Sequence, residues 1–317
     1  MKKTVKLLVV ISLIFTLTGC TKYIKDDKGK IVQNIETGQN LPSNILCKPT
    51  DKKTLNTYSE YNKTTKGKKV DVNSLPECNK MGISSKNYDG LWVTLFVQPL
   101  AWIIIKIGLL VKNYGLAIIL STLLIRGLVF PLTKKTAMQS ENMKKAQGKL
   151  SKIEKKYQNK NDQASMMDKA QEIQMIYKEY NINPLSSCLV MFIQIPLFFA
   201  FYEAITRIPA IFEESFLGLN LGTSPSVGLL KQGNILYLIL IILVVIATYM
   251  SFKMSSRDVM SEEQAQQMKT MTYFMVVMMS ITAFSISSGI GVYWVTSNIF
   301  TIIQNMAVKR SVKNGRN

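Results

Sequence analysis

Apolar and polar positions fall in blocks along this chain, and the blocks predict helices crossing a bilayer. Five apolar blocks have spanning length, which requires about 20 residues. They run over 114–133, 184–206, 235–250, 271–287 and 290–308. A sixth, 91–112, is long and apolar enough to span but is broken by Gln98-Pro99 and Lys106 and carries Trp92 and Trp102. Between the first and second spans, 134–183 changes to helix formers rich in Lys, Glu, Gln, Met and Ala. Asn159-Lys160-Asn161-Asp162 interrupts it as a turn, so it predicts a helical hairpin. Leu150, Ile153 and Tyr157 of one arm can face Ile173, Ile176 and Tyr180 of the other. The fold class is therefore an all-α membrane protein: five transmembrane helices, an interfacial helix and a helical hairpin.

Before these blocks stand two others. Residues 1–19 have a basic start, Lys2-Lys3 and Lys6, and an apolar stretch from Leu7 to Phe15, the form of a signal peptide. The following Leu17-Thr18-Gly19-Cys20 resembles the bacterial lipobox, which implies that Cys20 carries diacylglycerol and an N-acyl chain on the outer face. An ordinary signal with an incidental cysteine is the alternative. Residues 20–90 then form an outer, lipid-anchored segment rich in Lys, Asn, Thr and Asp. It reads as loop, or at best a small domain with little core. Cys47 and Cys78 within it are candidates for a disulfide on the oxidising side of the membrane, with two free thiols as the alternative.

Charge sets the topology. Lys and Arg number 39 against 20 Asp and Glu, an excess that in a membrane protein marks cytosolic loops and anionic lipid. Residues 134–183 hold 11 lysines against 6 acids and belong in the cytosol. One crossing from an outer Cys20 puts them there; two crossings do not, so 91–112 is read as an interfacial helix. An outer loop, 207–234, and a cytosolic loop, 251–270, follow in alternation. The basic tail 309–317 ends inside the cell. The hairpin is either a solvated structure without partner or a basic arm touching lipid headgroups, ribosomal RNA or an incoming polypeptide.

The chemistry on offer is non-covalent. With no histidine, imidazole metal sites and His-based acid–base catalysis are excluded. The four cysteines form no CxxC pair, no phosphate-loop pattern is present, and motifs that read DNA bases are absent. No catalytic, metal or cofactor residue is predicted. The conspicuous residue is Arg126, central in a first span that contains no acid. A central arginine costs about 2.5–3.5 kcal/mol on insertion scales and does not escape by deprotonation. It snorkels to the nearer interface or faces a wet or polar partner. Thr122 lies one turn before it. Gln194, Thr282, Ser285, Asn298 and Thr301 add polarity inside other spans. Singly such residues glue helices together; jointly, with Arg126, they point to a polar groove. Methionine is dense from Met250 to Met279, which suits flexible packing or a surface accepting many apolar sequences. Glu203 and Arg207, four apart, form an expected structural pair.

Together, Arg126, Asn183-Pro184-Leu185 through Gln194-Ile195-Pro196, Phe216-Leu217-Gly218-Leu219-Asn220 and Tyr293-Trp294 through Ser297-Asn298 with Gln304 resemble the YidC-type membrane protein insertases, in the short lipoprotein form of single-membrane bacteria. The resemblance implies a hydrophilic groove, open to cytosol and lipid, through which client segments enter the bilayer from cytosol or translocon. Arg126, Thr122, Gln194, Trp294 and Asn298 are its expected lining. It also implies nascent membrane proteins as clients, ribosome, Sec translocon and anionic lipids as partners, a bacterial plasma membrane location and no enzymatic reaction. The rival reading is a small-anion transporter with Arg126 as binding charge. A third is a lipoprotein scaffold that binds an envelope partner through 21–90.

Overall fold

The computed structural model describes residues 21–65, 69–84, 90–160, 162–183, 186–256 and 262–314. The signal peptide, Cys20 and its expected lipid, and the Pro184-Leu185 start of the second span lie outside these residues. Ten α-helices are described: α1 (Lys52–Thr64), α2 (Gln98–Val111), α3 (Tyr114–Tyr157), α4 (Gln163–Glu179), α5 (Ser186–Arg207), α6 (Pro209–Phe212), α7 (Pro225–Leu230), α8 (Leu236–Ser256), α9 (Glu262–Ser285) and α10 (Ser288–Asn314). A two-stranded hairpin, β1 (Ser215–Phe216) and β2 (Leu219–Asn220), stands between α6 and α7. Among the described residues, Val93–Val111, Tyr114–Tyr157 and Leu236–Met254 are long and apolar enough to cross a membrane, and Thr272–Ser285 is a shorter apolar helix.

The chain divides into two compact units. The first comprises the described residues of Met1–Leu124, Gln194–Val244 and Ser280–Thr296. The second comprises those of Ile125–Ile193, Val245–Met279 and Ser297–Asn317.

In the first unit, residues 21–84 form the small disulfide-stapled domain, the alternative to a loop that the composition leaves open. Ile24, Leu41, Ile45, Tyr58, Val70 and Val72 are buried in one cluster, closed by Phe212 from beyond α5. A disulfide joins Cys47 to Cys78. Sequence reasoning missed this core because its residues are scattered singly among polar ones and the cluster is completed by a residue over a hundred positions away. Three short extended runs, around 23–25, 31–33 and 40–42, pair through isolated antiparallel bridges. Asp51 caps α1 by accepting from the Thr54 amide, the expected behaviour of an N-cap carboxylate.

The C-terminal end of α5 and the loop after it hold this domain. Leu46 donates its amide to the Arg207 carbonyl at 2.9 Å, and the Thr50 hydroxyl donates to Glu213 at 2.7 Å. Thr21 and Thr206 hydroxyls lie 3.2 Å apart, as do those of Tyr23 and Tyr202 at 3.1 Å. The same loop receives the N-terminus of α10, where Ser288 and Gly289 donate their amides to the Thr223 and Leu221 carbonyls. Gly289 packs closely there: a Cβ would stand 3.1 Å from the Ile205 methyl and 3.3 Å from the Leu221 oxygen.

α2 and its flanks touch residues 21–84, the end of α5 and the loop after it. Trp92, just before it, donates to Glu203 at 2.8 Å, and Lys106 reaches the Asn79 carbonyl at 3.4 Å. Beyond its C-terminus, the Tyr114 amide donates to Glu214 at 2.9 Å. Lys112, left-handed at φ 54°, ends the helix and lets the chain turn into α3.

Glu213 gives the outer domain a pH dependence. Burial pushes its carboxyl above the usual carboxylate range, opposed in part by the hydrogen bonds from Thr50, while nearby Asp51 adds to the rise. Burial raises Glu214 as well. A carboxyl whose folded pKa is raised binds its proton more tightly when folded, so its contribution to stability grows as pH falls through that raised value. It levels off below the unfolded value of about 4.3. Unfolding of this domain is thus expected to shift to higher temperature as pH falls from about 7 toward about 4.3, and Glu213→Gln to flatten that shift. Scanning calorimetry at the two pH values checks both.

The stretch 114–133 and the first hairpin arm are one helix, α3, of 44 residues. Nothing between Thr133 and Tyr157 breaks it, because the arm consists of good helix formers. Pairs Lys149–Glu179 and Lys156–Glu172 set α3 and α4 antiparallel, and Ile153 and Tyr157 are buried along their seam. Asn183 donates its amide to Gln139 at 2.8 Å, closing the base of the hairpin.

Candidate functional site

Arg126 sits on α3 and is only 8% exposed. Its guanidinium donates to the Ser297 hydroxyl on α10. Seven residues further along both helices, Thr133 donates to the Gln304 side-chain oxygen at 3.0 Å. Residues 126 and 133 pair with 297 and 304 in the same order, so α3 and α10 run parallel here, two turns per rung. On α10 the Thr301 hydroxyl bonds the Ser297 carbonyl at 3.0 Å, placing it between the rungs. Asn298, next to Ser297, donates to Thr248 on α8 at 3.4 Å. Ser297, Gln304 and Thr248 are all buried. α3, α8 and α10 thus carry buried hydroxyls and amides that bond one another along this stretch, in contrast to the apolar flank that α8 exposes through Ile246 and Met250.

Such an interior keeps an arginine charged by hydrogen bonding it, and leaves a cation whose field is strong because the surroundings are poorly polarisable. It can attract an acidic or polar group. Among the described residues no group of His, Cys, Asp or Glu has the arrangement of a metal site.

The first unit holds the other candidate residues. Thr122 is fully buried, and its hydroxyl donates back to the Ile118 carbonyl of its own helix at 2.6 Å. Ser121 does the same to Ala117 at 2.6 Å. Gln194, half-buried, is one turn before Phe198, the hub of an aromatic group. Phe198 meets Trp294 edge-on at 5.4 Å, and Phe201 stacks on Tyr293 at 4.4 Å. Gln194 and Trp294 therefore border one aromatic cluster, while Arg126 and Asn298 belong to the polar interior of the second unit. Thr133 and Thr248 were missed by sequence reasoning; the seven-residue spacing of Thr133 from Arg126, matched by that of Gln304 from Ser297, is the signal that finds the second rung.

At the outer end of α5, Glu203 and Arg207 are 1% and 0% exposed and pair at 3.2 Å. Trp92 donates to the second Glu203 oxygen, and the Arg207 Nε donates to the Asn44 carbonyl at 2.6 Å. This network ties the outer domain, the stretch before α2 and α5 into one structure, the structural role their spacing implies.

Residues 106–315 match the 60Kd inner membrane protein family. The chain is 37% identical over 229 residues to a membrane protein insertase YidC of Oceanobacillus iheyensis, covering 71% of this chain and 86% of that protein. It is 34% identical over 219 residues to the membrane protein insertase MisCA of Bacillus subtilis, covering 69% and 79%. A crystal structure of an active YidC insertase with its first transmembrane domain resolved aligns with TM-score 0.50 at 22% identity, over 68% of this chain and 46% of that one. That likeness carries the helical fold alone. The anion-transporter reading finds no support in these relatives.

Proposed function

The chain belongs to the 60Kd inner membrane protein family, the bacterial YidC-type membrane protein insertases, which are not enzymes; from that premise we propose that it guides client transmembrane segments into the bilayer past Arg126. The observation that carries this reading is the buried guanidinium on α3, held by Ser297 within a hydroxyl- and amide-rich interior. A polar or acidic client segment exchanges hydration for that cation and those hydroxyls, which lowers the cost of entering hydrocarbon. Thr122, Gln194, Trp294 and Asn298 are the further contact positions, and the aromatic group around Phe198 offers apolar client side chains a surface.

The remaining organisation follows the same reading. Five spans place the α3–α4 hairpin and the basic tail in the cytosol, where lysines meet ribosome, Sec translocon and anionic lipid. The parallel course of α3 and α10 fits two spans that both run inward. The stretch 91–112 lies along the outer interface: Trp92 and Lys106 both touch outer-face groups although about 21 Å of helix separates them, a length that would carry a crossing helix well away from that face. Thr21, held against Thr206 at the outer end of α5, supports lipidation of the preceding Cys20, since acyl chains there start at the bilayer surface.

The test is complementation in cells depleted of this chain and free of paralogues. Insertion of a client with an acidic outer end is expected to fall about tenfold or more with Arg126→Ala, the loss of one charge-assisted interaction, and to recover partly with Arg126→Lys. Unchanged insertion on depletion would overturn the insertase reading. Unchanged insertion with Arg126→Ala would overturn the role of the arginine.

A further inference from the structure

The outer domain has two dissimilar tips. Its three extended runs are joined by turns at opposite ends of the middle run. One turn, Asp26-Asp27-Lys28-Gly29-Lys30, is wholly charged apart from its glycine. The other, Asn34 to Gln39, presents Ile35, which is 93% exposed, more than any other large apolar residue described. An isoleucine at a turn tip is poorly placed for water and contributes nothing to the domain's own core.

That apolar tip sits beside the outer end of α8. Gln232 donates to the Glu36 carbonyl at 2.9 Å, and Gly38, at φ +67°, packs so closely on Val227 of α7 that a Cβ would stand 2.8 Å from its methyls. α7 adds Leu230, 73% exposed, and two residues beyond Gln232 the chain turns into α8. The hairpin β1–β2 reaches the same place: Asn234 donates to the Gly218 carbonyl at 2.9 Å, and its tip residue Leu217 is 78% exposed. Below them α8 exposes Ile239, Ile242 and Leu243, the apolar flank of a helix long enough to span. Ile35, Leu230 and Leu217 therefore stand next to the apolar flank that α8 exposes.

We propose that the outer domain is a membrane-resting module, its Ile35 tip seated with Leu230 in the outer leaflet of an anionic bilayer beside α8. The occupant is lipid because the apolar tip is continuous with the flank of a spanning helix. Charge agrees: residues 21–90 carry 13 lysines against 8 acids, and exposed Lys231 stands next to Leu230, where lipid phosphates would lie. The proposal rests on α8 crossing the bilayer and is independent of insertase activity.

The experiment uses the full chain with Cys188→Ser, in vesicles of phosphatidylcholine and phosphatidylglycerol. Nitroxides are attached at Ile35→Cys, Leu230→Cys and, on the charged tip, Lys28→Cys, and the parent without added cysteine supplies the background. The ratio of oxygen to nickel-chelate accessibility is expected to be about threefold or more higher at 35 and 230 than at 28, as bilayer depth favours the apolar quencher. Equal ratios at 35 and 28 would overturn the proposal. So would a water-like ratio at 35 with a lipid-like one at 230, or spin–spin broadening at 35, which would put a second copy of the chain there.

Discussion

Glu203→Ala is expected to destabilise the first unit by about 3–5 kcal/mol, the cost of leaving a buried charge without its partner. Glu203 accepts from Arg207 and from Trp92, and both ionic side chains are almost fully removed from solvent. Removing the carboxylate strands a guanidinium at the outer end of α5 and frees the indole N–H as well. Arg207→Ala is expected to cost a similar amount, because it also removes the bond to the Asn44 carbonyl and loosens the outer domain. The double replacement Glu203→Met with Arg207→Met behaves differently: it is expected to lie within about 1 kcal/mol of the parent, since no buried charge then remains. Thermal unfolding in micelles, followed by tryptophan emission with Trp102 and Trp294 replaced by Phe so that Trp92 reports alone, measures all three. Equal losses from the single and double variants would mean that packing, not charge, explains them.

The second large effect concerns the disulfide. Cys47 and Cys78 are both buried and close a loop of 31 residues. Loop-closure entropy assigns such a bridge about 3–4 kcal/mol. The domain it staples has only a small apolar cluster, one member of which comes from the outer loop. Paired Cys47→Ala and Cys78→Ala are therefore expected to unfold residues 21–84 while α3 to α10 persist. Limited proteolysis would then release the outer segment and leave the remainder intact. Unaltered protease resistance of 21–84 would show that the cluster and the outer-loop hydrogen bonds suffice.

Much of the architecture was legible because hydrocarbon imposes long, uninterrupted patterns. The apolar stretches predict the apolar parts of α3, α5, α8, α9 and α10, although α9 starts nine residues before 271, α8 and α10 each run six residues further, and α6 and α7 stand inside the stretch read as a loop; the spacing of Glu203 and Arg207 predicts their pairing. The outer domain was not legible. Its core uses isolated residues such as Ile24, Leu41 and Val70, too far apart to form a periodic signal, and Phe212 joins them only through tertiary contact. It also lies outside the residues that match the family, so it is a feature of this chain rather than of the matched region. Of the site, Arg126 stood out because a charge inside an apolar block is costly. Its partner Ser297 did not, because a serine in a span is common and its hydroxyl is informative only once the opposite helix is known. Thr122 read as a groove residue from its place one turn before Arg126, but the sequence gives no hint that its hydroxyl bonds its own backbone.

The most direct measurement of the central claim places photo-crosslinking residues at Gln194, Trp294 and Asn298 and offers ribosomes bearing a nascent small membrane protein with an acidic outer end. The account predicts client adducts at these positions, and a marked fall in their yield when Arg126→Ala is added. Silent probes in folded protein, or adducts indifferent to Arg126, would contradict it.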